Sequence, residues 1–242
     1  MNPSSFTHCP VLFEDADLLI IDKPEGVLSH PNPGKQNLAC AFEGPYDLGE
    51  RRFQTPQGPV WLIHRLDQDT SGVLLAAKNK KSAGACRRSF EKGEVKKNYI
   101  ALVSRRPMPS HGKWRDALME RRAGGGLRVA IDPSGRPNAF LNYKLKEYFQ
   151  KFNLSLLEIE LLTGKTHQIR VQSACRGHPV AGDRVYGNFA LNKELREALG
   201  LRRLFLHAWR LAFPHPLTGK PFAVEAPLPE ELEDCLLKAS SI

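Results

Sequence analysis

The segment VWLIHRLDQDTSGVLLAA, residues 60–77, places a polar turn between two apolar stretches. The stretches VWLIH (60–64) and GVLLAA (72–77) have the length and composition of strands, so the turn RLDQDTS is predicted to join two strands. The central carboxylate of this turn, Asp67, then lies on a loop held by rigid elements, which is a common location for catalytic residues. The alternative is a local ion pair or Asx turn, and the segment alone favours that alternative.

The sequence on both sides of this segment also predicts short elements. Before it, VLFEDADLLIID (11–22) has the pattern of two strands around an acidic turn. Residues 31–59 are rich in Pro, Gly and polar side chains and are expected to form a loop over the surface. After the segment, KKSAGACRRSFEKG (80–93) has helical composition and VKKNYIALVS (95–104) returns to strand-like residues. The predicted order is therefore strand, helix, strand.

The middle of the chain has one stretch without a clear pattern. Residues 105–137 contain Pro and a GGG tract and show little periodicity, which predicts an irregular connection between two halves of the protein. Beyond it, AFLNYKLKEYF (139–149) and FNLSLLEIELL (152–162) alternate between apolar and polar residues as an antiparallel pair does.

The last third of the chain completes the prediction of an α+β fold. TGKTHQIRVQSACRG (163–177) is predicted to be a helix, with Thr166 as its N-cap and Gly177 just past its end. LFLHAWRLAF (204–213) and KPFAVEAP (220–227) flank a turn and form a predicted hairpin, and PEELEDCLLKA closes the chain as a short helix. Strands and helices in this order predict a mixed, mostly antiparallel central sheet with flanking helices.

Composition excludes several classes of protein. No run approaches the ~18 apolar residues of a membrane helix, and the start MNPSSFTHCP lacks the pattern of a secretory signal, so a cytoplasmic location without a membrane span is expected. The five cysteines form no CxxC pair, which suits reduced thiols and argues against zinc. Neither a P-loop nor a GxGxxG motif is present, so no nucleotide cofactor is expected.

The positive charge of the chain is concentrated in one window. The chain has 35 Lys and Arg against 26 Asp and Glu, and residues 78–136 alone hold 16 basic and 5 acidic residues. Such a surplus suits a surface that binds a polyanion, because each neutralised phosphate releases counterions. Phe90, Tyr99 and Trp114 lie in the same window and favour nucleic acid, since bases stack on aromatic rings. A solvated basic surface is the alternative.

A second polar cluster lies in the segment KTHQIR, residues 165–170. It brings Lys165, His167 and Arg170 within about one helical turn, near a predicted helix N-terminus that favours anions. The cluster is suited to binding phosphate or to pairing with Asp67. A surface ion-pair network is the alternative.

A metal site is not expected from this sequence. Carboxylate and imidazole groups suit several divalent ions, and the candidates are Asp67, Asp69, His64 and His207. Their spacing does not form a close helical pair of the HExxH type, so nothing in the pattern requires a metal.

Five segments taken together, and in the same order, resemble the RluA-type family of pseudouridine synthases. They are VLFEDADLLIIDKPEGVLSHP, HRLDQDTSGVLLAAKN, KKNYIALV, TGKTHQIRVQSACRGHPVAGDRVYG and LFLHAWRLAFPHPLTGKPFAVEAPLP. The resemblance covers roughly residues 11–236. It implies the pseudouridine synthase fold with a catalytic cleft, and an enzyme that isomerises uridine in structured RNA, transfer RNA or ribosomal RNA, without a cofactor.

The resemblance also implies roles for individual residues. Asp67 matches the essential aspartate, which serves as nucleophile or as stabiliser of positive charge on the sugar. Tyr99 matches the aromatic residue that lies against the target base, and Arg170 matches the basic residue that pairs with the aspartate. Arg65 matches the residue proposed to fill the space that the flipped uridine vacates. Ile169 is expected to pack against the other side of the pocket.

The sequence departs from the family pattern at two positions. Lys165 stands where the family often has Arg, and Gln172 stands where a His is common. Lys165 and His167 are retained as expected RNA-binding residues. The domain organisation expected is a single catalytic domain over residues 1–242, with two subdomains joined near 105–137 and no separate N-terminal RNA-binding module. RNA is the expected partner, and a monomer without an obligatory protein partner is expected.

Two other functions are open at this point. A non-catalytic RNA-binding protein of the same fold is the first, although the presence of Asp67, Tyr99 and Arg170 together argues against it. A hydrolase with Asp67 and Asp69 as paired carboxylates is the second, but neighbouring positions on one loop rarely give the separation that such pairs need.

Overall fold

The computed structural model describes residues 6–31, 39–123 and 126–241 of the chain. Within these ranges, fourteen strands and four helices follow each other. The elements of the first 104 residues are β1 Val11–Glu14, β2 Leu18–Lys23, β3 Tyr46–Asp47, β4 Arg52–Thr55, β5 Gly58–Leu62, β6 Ser71–Ala77, α1 Lys80–Glu91 and β7 Lys96–Ser104. The others are β8 His111–Asp116, β9 Leu118–Ala123, β10 Gly126–Ile131, β11 Ala139–Phe149, β12 Leu154–Leu161, α2 Gln168–Ala174, α3 Phe189–Leu199, β13 Leu206–Pro214, β14 Pro221–Glu225 and α4 Glu230–Ser240.

The chain divides into two compact units. The first contains residues 1–97 and 208–227, and the second contains residues 98–207 and 228–242. The segment 105–137 therefore lies entirely within the second unit.

The first unit is an antiparallel sheet with one helix. Strand β2 pairs with β1 and β6, β5 pairs with β4 and β6, and β13 pairs with β14. Strand β6 is buried along its whole length, and its Val73, Leu75 and Ala77 form a core with α1. Gly72 has a φ of +113°, and a Cβ there would lie 2.2 Å from the Ala208 carbonyl oxygen, so only glycine fits where the polar turn rejoins the sheet.

The second unit contains four paired strands, a hairpin and two apolar clusters. Strand β12 pairs antiparallel with β7 and β11, and β11 pairs on its other side with β8. Helices α3 and α4 pack on these strands through an apolar cluster that includes Leu102, Phe205 and Leu232. The hairpin of β9 and β10 forms a separate two-stranded sheet. Its apolar face packs against Val171 of α2 in the smaller cluster.

Most of the predicted elements are confirmed, and the predicted α+β class is confirmed with them. The two strands of 11–22, the strands around the polar turn, helix α1, the β11–β12 pair, the β13–β14 hairpin and the final helix all lie where the patterns placed them. No helix within the described residues is long and apolar enough to cross a membrane.

The prediction of a surface loop over 31–59 is wrong for its second half, and residues 32–38 lie outside the described ranges. Strands β3 and β4 form in this segment, and β5 begins at its end. Phe53 and Phe42 are buried, with ring centroids 5.5 Å apart. The aromatic residues are too widely spaced among Pro and Gly to give a periodic pattern, but their burial fixes the segment.

The prediction of an irregular connection over 105–137 is also wrong, because β8, β9 and β10 form there. Each of these strands buries only a few side chains between charged ones, as Trp114, Leu118 and Val129 show. A strand with so few apolar residues carries little alternation to detect.

The predicted N-cap of α2 is wrong as well. The helix begins at Gln168, and the cap position is His167 in a left-handed conformation with φ of 51° and no side-chain cap bond. The Thr166 hydroxyl donates instead to Glu120 Oε1 at 2.7 Å. Helix α3 was not predicted, although its Asn188 N-cap and Gly200 at its end are ordinary helix signals.

Candidate active site

Asp67 lies in the first unit, on the turn between β5 and β6. Arg65 is exposed, Leu66 is buried and Asp67 is half-buried. The Asp67 carbonyl oxygen accepts a hydrogen bond from the Thr70 N–H at 3.1 Å, which closes a tight turn. Asp67 is therefore held in a compact turn while the residue is still partly open to solvent.

The loop that follows β2 is hydrogen-bonded to the backbone on both sides of Asp67. Ser29 Oγ donates to the Leu66 carbonyl oxygen at 2.8 Å and accepts from the Leu66 N–H at 3.0 Å. On the other side of Asp67, the Gln68 carbonyl oxygen accepts from the Gly26 N–H at 2.9 Å. Because both neighbours of Asp67 are tied to the same loop, the backbone that carries the carboxylate is fixed before any ligand binds.

Lys23 reinforces this connection from inside the protein. Its side chain is fully buried, and Nζ donates to the carbonyl oxygens of Pro24 and Val27 at 2.8 Å and of Gln68 at 3.2 Å. A buried ammonium is tolerated only when hydrogen bonds replace its water, and these carbonyls supply them. Lys23 therefore links the loop after β2 to the residue directly after Asp67.

His64 occupies the point where the chain leaves β5 for the turn. Its Nε2 accepts the Leu75 N–H at 3.1 Å, and its ring stacks on Phe90 of α1 with centroids 5.4 Å apart. Burial and the charge of Lys97 lower the pKa of His64 to about 3, against a hydrogen bond with the Arg65 backbone that raises it. The imidazole is therefore neutral at physiological pH and acts as a hydrogen-bond acceptor for strand β6.

Arg65 reaches the side chain of His30. Its Nη1 lies 3.1 Å from His30 Nε2, and the His30 ring stacks on Tyr46 with centroids 5.2 Å apart. Because His30 Nδ1 lies 2.9 Å from the Pro31 carbonyl oxygen, Nδ1 carries the proton and Nε2 accepts from Arg65. Burial lowers the pKa of His30, and the charge of Arg65 lowers it further, in agreement with this neutral form.

Tyr99 lies in the second unit, on strand β7. It is buried and stands opposite Ile159 in the β7–β12 pair. Its burial suits a ring that packs beside a bound base, and it equally suits a core aromatic residue. The role of Tyr99 therefore remains a prediction.

Arg170 is buried on α2 in the second unit and forms a two-pronged ion pair with Asp183. Nε donates to Asp183 Oδ2 at 2.7 Å and Nη2 donates to Oδ1 at 3.0 Å. Burial raises the pKa of Asp183, but the hydrogen bond and charge of Arg170 outweigh burial and hold that pKa below its usual value. The pair fixes the plane of the guanidinium group through Nε and Nη2, and Nη1 lies outside this pair.

Tyr186 connects this ion pair to the β9–β10 hairpin. The Arg170 guanidinium lies over the Tyr186 ring, 5.4 Å from its centroid. Tyr186 Oη accepts the Val129 N–H at 2.9 Å and lies 2.8 Å from His167 Nδ1. His167 is half-buried at the start of α2, so the tyrosine holds the hairpin, His167 and Arg170 in one network.

The other two predicted residues of this cluster differ in exposure. Lys165 is exposed, and its backbone N–H donates to Gln168 Oε1 at 3.1 Å. Ile169 is buried. The exposed lysine is accessible to a phosphate, whereas Ile169 is part of the packed interior beside Arg170.

The structure thus places the predicted residues in two groups. Arg65 and Asp67 share one turn in the first unit. The second unit contains the others, namely Tyr99, Lys165, His167, Ile169 and Arg170. The expected pairing of Arg170 with Asp67 links residues of different units and remains a prediction.

Sequence reasoning missed four residues that shape these surroundings: Lys23, Ser29, Asp183 and Tyr186. A signal existed for two of them. Lys23 ends an apolar strand directly before Pro24, where a charge needs a specific partner, and Asp183 follows a glycine near the basic cluster. Ser29 and Tyr186 act through contacts with residues distant in sequence, which no local pattern reports.

In the described part of the chain, no group of three or more His, Cys, Asp or Glu side chains is placed to hold a metal ion. His64 has the Leu75 N–H on its Nε2, so that nitrogen is used in the fold.

Comparison with known proteins gives the same family by sequence and by structure. Residues 17–174 match the family model described as RNA pseudouridylate synthase. The ribosomal large subunit pseudouridine synthase C of Yersinia pestis is 39% identical over 230 residues, which cover 94% of this chain and 68% of that protein. The protein of the same name from Escherichia coli strain K12 is 38% identical over 232 residues and is covered to 69%.

Solved structures agree with this result. Human RNA Pseudouridylate Synthase Domain Containing 1 has a TM-score of 0.71 and 27% identity, with 97% of this chain and 90% of that chain covered. Human RNA Pseudouridylate Synthase Domain Containing 4 has the same TM-score at 23% identity, which supports the fold.

Proposed function

Since the chain belongs to the RNA pseudouridylate synthase family, we propose that it converts uridine to pseudouridine in large-subunit ribosomal RNA, with Asp67 as its catalytic carboxylate. The observation that carries the assignment to Asp67 is the fixed backbone on both of its sides, tied by Ser29 and Gly26. Catalysis benefits from such preorganisation because the reacting group needs no further ordering in the transition state. The choice of ribosomal RNA follows from the names of the bacterial relatives.

The reaction itself requires little besides a carboxylate and a means of holding the base. One bond between nitrogen and the sugar carbon breaks, the uracil turns, and a carbon–carbon bond forms. The proton that leaves carbon 5 is balanced by one gained at the released nitrogen, so no oxidant, cofactor or energy source enters. An ionised carboxylate fits the role of nucleophile and that of stabiliser of positive charge on the sugar.

Arg65 and Tyr99 are proposed to manage the flipped base. Uridine in folded RNA must leave its stack before Asp67 can reach it, and an exposed side chain is needed to fill the space. Arg65 is exposed, and its Nη1 donates a hydrogen bond to His30 Nε2 at 3.1 Å. The buried ring of Tyr99 is suited to lie against the target uracil.

Arg170 is proposed to pair with Asp67, as the family resemblance implies. The bidentate pair with Asp183 supports this role, because it already holds the Arg170 guanidinium group in a fixed orientation. No free energy is then needed to orient that group during the reaction. Ile169 is proposed to pack beside the base. Lys165 and His167 are proposed to contact the RNA, which the exposure of Lys165 and the partial exposure of His167 permit.

We also propose how the two units act and where in the cell the protein is located. The two units are proposed to act as one catalytic domain over residues 1–242, as a monomer without a cofactor. A cytoplasmic location is proposed because all five cysteines are free thiols, as expected in a reducing compartment.

The test is direct conversion of RNA by the purified protein. A transcript of large-subunit ribosomal RNA is incubated with the protein, treated with carbodiimide and read by primer extension, because the reaction leaves the mass unchanged. A new stop at a defined uridine is expected, and a small-subunit transcript serves as the control. Stops in transfer RNA alone would overturn the proposed substrate, and binding of every RNA without any stop would overturn the proposed catalysis.

A further inference from the structure

The second unit contains a small pocket beside the β9–β10 hairpin. Its volume is about 230 Å³, and it is lined by Leu118, Glu120, Val129, Gly164, Lys165 and Thr166. This is below the roughly 300–1,000 Å³ of pockets that bind drug-sized ligands. The pocket therefore suits a group the size of a single nucleobase.

Hydrogen bonds fix the wall of this pocket at three positions. The Asn138 side chain accepts the Leu118 N–H at 2.9 Å and donates to the Leu118 carbonyl oxygen at 3.1 Å, which holds the start of β9. Tyr186 Oη holds β10 through the Val129 N–H. Gln168 Oε1 accepts the Lys165 N–H and holds the loop that forms the opposite wall. The pocket therefore exists before a ligand enters.

The hairpin has two faces of different chemistry. Leu118, Glu120 and Val129 share one face, because Glu120 stands directly opposite Val129 and two residues after Leu118. On the other face Arg121 stands directly opposite Arg128, and both are exposed. Like charges in such positions destabilise a strand pair, so this face is suited to the phosphates of a polyanion.

Glu120 is the unusual residue of this basic hairpin. A carboxylate on a surface that binds phosphate weakens binding, unless it recognises a hydrogen-bond donor on a base. The Thr166 hydroxyl donates to Glu120 Oε1 at 2.7 Å, which orients the carboxylate and uses one of its roughly four acceptor sites. Among the residues that the structure describes, neither Glu120 nor Lys165 has an ion-pair partner within 4.0 Å.

We propose that this pocket binds one unpaired guanine of the RNA substrate, an inference that rests on the proposed function. Guanine presents two adjacent donors, its ring N–H and its amino group, to the Glu120 carboxylate. Its carbonyl oxygen lies beside them and accepts from the Lys165 ammonium. Leu118 and Val129, which line the pocket, supply the apolar contact for the ring.

The other bases fit this pair of charges less well. Uracil and cytosine place acceptor atoms next to their donors, which a carboxylate repels, and adenine has no carbonyl oxygen for Lys165. Discrimination by a good pair of base contacts is on the order of tenfold or more in affinity. Glu120 is therefore a residue that sets sequence preference near the modified uridine, and it takes no part in the chemistry.

The test uses the full chain and mononucleotides, whose binding does not require turnover. GMP, IMP, AMP, CMP and UMP are titrated at low salt while the methyl signals of Leu118 and Val129 are followed by NMR. GMP is expected to bind on the order of tenfold more tightly than UMP or AMP, and more tightly than IMP, which differs only by the missing amino group. Equal binding of all five would show recognition of phosphate alone and would overturn the inference.

Two variants and one control test whether Glu120 and Thr166 cause the preference for GMP. Glu120→Gln keeps an oxygen for Thr166 but loses the charge, so the preference for GMP over IMP should disappear. Thr166→Val removes the hydroxyl that orients Glu120 and should reduce the same preference several-fold. Glu197→Gln, on the exposed surface of α3, should change nothing. An unchanged GMP preference in folded Glu120→Gln would overturn the inference and would leave the proposed isomerase activity untouched.

Discussion

Replacing Asp183 by Asn tests whether the buried ion pair with Arg170 stabilises the second unit. The side chains of Arg170 and Asp183 are 3% and 0% exposed, so water cannot compensate for a lost partner. Asn keeps an oxygen that still accepts the N–H groups of Val185 and Tyr186, as Asp183 Oδ1 does at 2.8 and 3.0 Å. The substitution therefore removes the charge and one of the two bonds to Arg170 with little change in shape.

The expected loss follows from the burial of the cation that is left behind. Removing one partner of a buried pair costs about 3–5 kcal/mol, and the retained oxygen places Asp183→Asn near the lower limit. For a chain of 242 residues, 3 kcal/mol corresponds to a fall in melting temperature of about 6–12 °C. Activity should fall as well, because Arg170 loses the contact that orients its guanidinium group.

Thermal unfolding followed by circular dichroism measures this loss, with Glu225→Gln as the matched control. Glu225 pairs with Arg210 at 3.3 Å, but both side chains are about half exposed. The loss of that pair should cost about 0.5 kcal/mol, or about 1–2 °C. If Asp183→Asn melted no lower than Glu225→Gln, the stabilising role of the buried pair would be refuted.

Three further predictions follow from the same structure. The difference in melting temperature between the wild type and Asp183→Asn should decrease in acid. Because the pKa of Asp183 is lowered in the folded protein, its carboxylate stabilises the fold above about pH 4 and loses this effect as the pH falls through the folded pKa. Ser29→Ala removes both hydrogen bonds to the Leu66 backbone and should lower the free energy of unfolding in urea by about 1–3 kcal/mol. A loss near zero would show that these bonds do not stabilise the turn that carries Asp67. RNA affinity should fall steeply with salt, and a flat response would show that the basic window 78–136 does not bind phosphate.

The sequence predicts elements well where apolar residues follow one regular period. Strand β11 begins and ends where the alternation does, and α1 ends close to the glycine that follows it. Strands β8, β9 and β10 lack this signal because their apolar residues are few and separated by charges. Strand β8 is stabilised by pairing with the distant β11, and the β9–β10 hairpin is stabilised by packing on α2. A local window of sequence contains neither contact.

Contacts between distant residues also limit what the sequence predicts about the candidate site. The roles predicted for Asp67, Arg65 and Arg170 come from the resemblance of several segments to a known family, because the local sequence alone favours a structural role for Asp67. Lys23 and Ser29 fix the Asp67 turn from more than 35 positions away, through contacts with carbonyl oxygens that have no side-chain signature. The Thr166 cap failed for a related reason, since its hydroxyl has a better acceptor in Glu120 of a distant strand.

The role of Asp67 as the catalytic carboxylate is tested most directly by the activity and RNA binding of Asp67→Asn. Asp69→Asn, from the same turn, is the control. Both residues are half-buried in the loop between β5 and β6. Asp67→Asn should bind ribosomal RNA as the wild type does and form no pseudouridine, while Asp69→Asn should still convert uridine. Normal conversion by Asp67→Asn would contradict the central claim that this carboxylate performs the chemistry.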